Sequence, residues 1–151
     1  MLPELQPLQQ LTHLGFHFGA PEDSSPPTTA FSALTASSRL QCLELSLAYL
    51  QLPAAAWEQM FPVGKQLAQM QALHISCICD LFGFLAAIAT APEATRLVSC
   101  CPNLQRLNMQ GLQYSAEQLV GLQGLSRLHT LLLMSSTFQG HMGRSYKLWL
   151  S

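Results

Sequence analysis

Five times in this chain an apolar residue is followed three positions later by a second and two positions after that by a third. The hits are Leu11–Leu14–Phe16, Leu40–Leu43–Leu45, Met70–Leu73–Ile75, Leu104–Leu107–Met109 and Leu128–Leu131–Leu133, and they start 29, 30, 34 and 24 residues apart. One such hexapeptide means nothing in a chain with 29 leucines among 151 residues, but five at near-constant spacing define a repeat. The last two apolar residues of each hit are two apart, so in a strand they share one face, and that face must be the core. The first packs from the entering turn. About twenty residues then return the chain to a parallel neighbour, a crossover that usually contains a helix. The pattern predicts an α/β fold with about five parallel strands near 13–17, 42–46, 72–76, 106–110 and 130–134.

The gaps carry helix signals. Pro26-Pro27-Thr28-Thr29 precedes a segment from Ala30 to Ser37 in which Phe31 and Leu34 share a face. Pro53 can open a helix over Ala54 to Met60, with Pro62 as its break. Asp80 can cap Leu81 to Ala89, and Pro92 can restart a helix through Cys100, which accounts for the long 34-residue spacing. Ser115-Ala116-Glu117-Gln118 is a capping-box pattern ahead of Leu119 and Leu122.

Composition narrows the function classes. Only 10% of the residues are charged, against roughly 25% in typical soluble domains, so the surface is unusually neutral and predicts a covering neighbour. A formal net charge of −1 gives no basic excess for nucleic acid. The longest apolar run, Leu81 to Ala91, has 11 residues, whereas a bilayer-spanning helix needs about 20. The start, Met1-Leu2-Pro3-Glu4-Leu5, lacks the basic region of a signal peptide. Five cysteines form no even framework and fit a reducing compartment. The expectation is a cytoplasmic or nuclear protein with neither membrane nor nucleic acid as partner.

The segment Cys101-Pro102-Asn103-Leu104-Gln105-Arg106-Leu107-Asn108-Met109, followed by a helix and then Leu125-Ser126-Arg127-Leu128-His129-Thr130-Leu131-Leu132-Leu133, resembles leucine-rich repeats. It is most similar to the cysteine-containing and ribonuclease-inhibitor-like classes. The Cys-Pro-Asn-Leu start is similar to repeats of F-box proteins, and the Leu/Gln/Ala-rich style to green-algal repeat arrays. No F-box is present. The resemblance covers residues 5 to 138 and implies a solenoid, a short horseshoe with strands on the concave face and helices on the convex face. It implies a single repeat domain over residues 1–138, followed by a tail or partial cap over 139–151. The chain departs from the family after each strand, where the usual Asn or Cys is replaced by Gly19, Ala48, Ile78, Leu112 and Ser136. No asparagine ladder is expected there, so the turns should be looser. No terminal cap is recognisable.

The outward residues of the strands then form the candidate partner surface. They are His13, Gly15 and His17; Cys42, Glu44 and Ser46; Ala72, His74 and Ser76; Arg106, Asn108 and Gln110; Thr130, Leu132 and Met134. One ladder across the sheet reads Gly15, Glu44, His74, Asn108, Leu132, which places a Glu44–His74 pair at its centre. The surface turns apolar at Leu132 and Met134. Chemistry is not indicated. Cys77-x-Cys79 and Cys100-Cys101 lack the Cys-x2–4-Cys spacing of zinc sites. His13, His17 and His74 share a face but are separated by the Glu44 strand. No nucleophile elbow, carboxylate dyad or phosphate loop accompanies them.

Ser135 to Ser151 leaves the repeat and holds Phe138, Arg144, Tyr146, Lys147 and Trp149. A partial cap on the domain's own open edge, disorder and partner docking all remain open for it. The expected function is a non-catalytic protein-interaction module without cofactor or metal, part of a larger adaptor, acting as a monomer or self-associating through a sheet edge. Two other readings stand beside it: a truncated remnant of a longer array, and an enzyme regulator that wraps its target.

Overall fold

A computed structural model of the chain describes residues 10–18, 29–48, 54–78, 92–112, 116–134 and 145–149. The elements in order are β1 (His13–Phe18), α1 (Thr29–Leu34), β2 (Cys42–Ala48), α2 (Ala54–Met60), β3 (Ala72–Ile78), α3 (Ala94–Cys100), β4 (Arg106–Gln110), α4 (Ala116–Gly121), β5 (Thr130–Met134) and β6 (Ser145–Trp149). A 3-10 turn, Leu122–Gly124, continues α4. Strands β1 to β5 are consecutive and all parallel. The sheet has a sixth strand that the repeat does not encode: β6 pairs antiparallel with β5, Thr130 opposite Trp149 and Met134 opposite Ser145. The 139–151 segment is therefore a strand over part of its length, on the β5 edge.

Strands β2 to β5 alternate as the pattern requires, whereas in β1 Leu14 is half-buried and Phe16 is exposed. Leu43, Leu45 and Leu47 of β2, Leu73 and Ile75 of β3, Leu107 and Met109 of β4, and Leu131 and Leu133 of β5 are buried. They form one core with Phe31 and Leu34 of α1, Ala56, Trp57 and Met60 of α2, and Ala94, Leu97 and Cys100 of α3. The helices have six or seven residues each. Isolated helices shorter than about 12–15 residues are marginal in water, so in α1, α2 and α3 the buried stripe against the sheet is what keeps them helical.

Two backbone motifs recur once per unit. Immediately before a strand, the N–H groups of Leu40, Met70, Leu104 and Leu128 donate to the carbonyls of Ser37, Leu67, Cys101 and Leu125, three residues earlier. Then one carbonyl at the strand entrance accepts two N–H groups from the next unit. Thr12 accepts from Gln41 and Cys42, Gln41 from Gln71 and Ala72, Gln71 from Gln105 and Arg106, and Gln105 from His129 and Thr130. The same acceptor position used four times holds the parallel register constant across the sheet.

The first residue of each turn is buried whatever its chemistry: Ser37, Leu67, Cys101 and Leu125. Ser37, the polar one, donates its hydroxyl to the Leu11 carbonyl of the preceding unit (2.6 Å) and accepts the Arg39 N–H at 3.2 Å. In the same way Asn103 reaches back with its amide to the Ala68 carbonyl at 2.8 Å. These ties lie at the strand entrance, on the opposite side from the exit turns where looser packing is expected. Ser37→Ala is expected to lose roughly 1–2 kcal/mol, because it strands a carbonyl and an N–H together. Urea denaturation checks it, and a loss below about 0.5 kcal/mol would show that water replaces the hydroxyl.

Helix limits differ from the sequence reading in three places. Helix α1 ends at Leu34, short of Ser37, because Ser37 is already committed to the turn. Helix α3 begins at Ala94 and not at Pro92: the Glu93 carbonyl accepts the first helical N–H groups, of Arg96 and Leu97. In α4 Leu119 is exposed whereas Leu122, past the helix end, is buried. The Leu81–Ala89 helix with its Asp80 cap, the Pro26–Thr28 entry, Pro53, Ser115, Cys79 and the exit positions Gly19 and Ser136 lie outside the described residues. Among the described residues no helix is long and apolar enough to cross a membrane.

Candidate functional site

Because the helices cover one face, the other face of the sheet is open, and its side chains are set by the register. The central ladder is Gly15, Glu44, His74, Asn108 and Leu132 in consecutive partnership. On the strand-entry side lie His13, Cys42, Ala72, Arg106 and Thr130, and on the exit side His17, Ser46, Ser76, Gln110 and Met134. All twelve partner-surface candidates therefore fall on one surface in the expected order. His13, His17, Glu44, Arg106 and Met134 are exposed, whereas Ser46, His74, Ser76, Asn108, Gln110, Thr130 and Leu132 are half-buried by their neighbours.

The electrostatic centre differs from the sequence reading. Glu44 and His74 are register neighbours, but the hydrogen bond of His74 runs the other way. Its Nε2 lies 3.3 Å from Nδ2 of Asn108, a side-chain hydrogen bond between β3 and β4. Adjacency in a ladder offers His74 a neighbour on each side, and the side-chain rotamer decides between them. The other amide atom of Asn108, Oδ1, is buried and has no hydrogen-bond partner. A buried acceptor left unsatisfied costs about 1–3 kcal/mol. Glu44 keeps its carboxylate in solvent.

Small side chains shape the surface. Ala72 lies in register between Cys42 and Arg106, and there the face carries a hollow of about 290 Å³ bounded by Glu44, His74, Arg106, Asn108 and Leu132. A second hollow of about 250 Å³ lies over Gly15, between His17, Ser46 and Ser76. Pockets for drug-sized molecules run from about 300 to 1,000 Å³. Each hollow is nearer to the volume of one or two side chains.

The groups with nucleophilic or ligating potential are poorly placed for chemistry. Burial, then the Glu44 charge, raises the Cys42 thiol above its ordinary value, with Arg106 acting in the opposite sense. A raised thiol is a weaker source of thiolate. Cys101 is pushed up to about 12, by burial first and by Cys100 second. Cys100 donates its thiol to the Pro62 carbonyl at 3.3 Å. Both vicinal cysteines are buried and act as small core residues that seat the turn. Among the described residues, no three of the His, Cys, Asp and Glu side chains are grouped to hold a metal ion within one chain.

What the repeat pattern did not disclose is the turn-opening position, Ser37, Leu67, Cys101 and Leu125. A recurrent spacing of three residues before the first apolar position of each hit was the available signal. Serine, leucine and cysteine share no single property there beyond fitting a buried site. No protein-family model matches this chain, and no curated protein or solved structure matches it either.

Proposed function

We propose that this chain is a leucine-rich-repeat solenoid that binds a protein partner on the open, concave face of its parallel sheet, without catalysis, as an interaction module of a larger adaptor. The parallel register, the turn repeated before each strand and the Cys-Pro-Asn-Leu signature of Cys101–Leu104 support the repeat assignment. The observation that carries the binding assignment is the hollow over Ala72. Its volume suits one or two side chains, Glu44 and Arg106 stand exposed beside it, and Asn108, whose buried Oδ1 has no hydrogen-bond partner, belongs to its wall. A partner side chain entering there meets a carboxylate, a guanidinium and an amide, and rotation of that amide offers its oxygen to an incoming donor. Opposed charges beside a central anchor pocket favour register and specificity.

Charge reversal separates recognition from folding, since both rim residues are exposed. Glu44→Lys and Arg106→Glu are each expected to weaken capture of the partner at least tenfold, with circular dichroism and melting temperature unchanged. Pull-down from native extract with quantitative mass spectrometry makes the comparison. Recovery of the same proteins in equal amounts by wild type and both variants would remove the open face as the binding site.

A further inference from the structure

Strand β1 is the end of the sheet: among the described residues nothing pairs with its outer edge. The direction of its backbone groups follows from one bond. The Thr12 carbonyl is turned toward β2, where it accepts Gln41 and Cys42 N–H. Backbone groups alternate along a strand, so His13, Gly15 and His17 direct their N–H and C=O groups outward. These same three residues carry their side chains on the open face. The residues between them, Leu14 and Phe16, face the core side.

Read outward from Gly15, the strand is His, apolar, Gly, apolar, His. An isologous contact requires that residue i meets j while j meets i. In antiparallel pairing, opposed residues share a face. Two β1 strands related by a two-fold axis through Gly15 therefore set His13 against His17 of the second copy, Leu14 against its Phe16, and Gly15 against Gly15. All three outward-directed residues exchange hydrogen bonds in this register. A two-fold through Phe16 instead opposes His17 to Gly15 and leaves His13 past the paired strand.

The Gly15 register also covers an exposed core position. Phe16 is 43% exposed, although its ladder neighbours Leu45 and Ile75 are at most 1% exposed. Leu14 of the second copy reaches that ring. At the two-fold, Gly15 has open space where a Cβ would stand, so no side chain separates the two histidine pairs.

We infer that β1 pairs antiparallel with β1 of a second copy of this chain, centred on Gly15, and that the interface carries two symmetric zinc-binding histidine pairs, His13 with His17 of the other copy. Directly opposed cross-strand residues have Cβ atoms about 4.5–5.5 Å apart, a span that lets two imidazoles meet one zinc at about 2.0–2.1 Å. Within a single chain His13 and His17 are four residues apart, about 13 Å along the strand. They cannot share an ion there. Zinc binds the dimer and not the monomer, so it draws association forward.

Sedimentation velocity of the untagged full chain over a range of concentrations, in EDTA and in zinc chloride, tests this. The expected result is a monomer–dimer equilibrium tightened at least tenfold by zinc. His17→Ala and His13→Ala should abolish the zinc effect and leave the melt unchanged, since both residues are exposed. Gly15→Pro removes an outward donor and should be monomeric in either buffer. A monomer in zinc at every concentration, an assembly larger than a dimer, zinc tightening retained by both histidine variants, or a dimer that survives Gly15→Pro would each overturn it.

Discussion

Gly111→Ala is expected to lower stability by roughly 3–4 kcal/mol, a large share of the 5–15 kcal/mol that holds an ordinary domain together. Gly111 follows β4 with φ at +68°, in the left-handed region where a Cβ is penalised. That penalty alone is about 1–2 kcal/mol. The larger part is steric. An alanine Cβ would fall on the backbone carbonyl of Cys77 in the neighbouring strand, which has no flexible end to move aside. Gly111 also donates its N–H to the Met134 carbonyl at 2.7 Å, so a backbone shift that relieves the clash breaks a bond to β5. Three strands meet at this one residue. Urea titration measures the change, and the melting temperature should fall by about 6–16 °C. A loss under about 1 kcal/mol would mean that β3 and β4 are not this close at their exits.

Leu107→Ala is expected to cost a similar amount for a different reason. Leu107 is fully buried in β4, in register with Leu73 on one side and Leu131 on the other. Removing its isobutyl group loses transfer free energy and leaves a void between two layers that cannot close around it, about 3–4 kcal/mol in sum. The neighbouring Arg106 faces solvent on the opposite side of the strand, and Arg106→Ala should change stability by less than about 0.5 kcal/mol. The contrast between adjacent positions checks the strand's facing. If the two substitutions had equal effect, the alternation of β4 would be wrong. An unchanged dependence on urea concentration would show that the loss belongs to the folded state.

The strand centres were legible because period-two burial leaves a chemical trace: an inward position tolerates Leu, Ile or Met and excludes charge. The order of the open-face ladders followed from the parallel register and needed nothing more. Strands β2 and β3 run three residues further than the hexapeptide, to Ala48 and Ile78, since backbone pairing continues after the pattern stops. Strand β6 was not legible as a strand. It belongs to no repeat, and its partner is the β5 edge, 11 residues back in the chain at the nearest pair, Met134 with Ser145. The His74–Asn108 bond was equally hidden, because a ladder names neighbours but not rotamers. The binding surface was readable as a place, while its hollows were not: they arise where Ala72 leaves room between Cys42 and Arg106 and where Gly15 leaves room beside His17 and Glu44.

The doubly used carbonyls of Thr12, Gln41, Gln71 and Gln105 have a further consequence. Each links one unit only to the next and is indifferent to side-chain identity, because both partners are main chain. Duplication or excision of a whole unit would regenerate the same joint at the new seam. Lineages of such chains can then drift in length by integral units, and the stretch between two joints can itself vary, here from 24 to 34 residues, without moving the ladders.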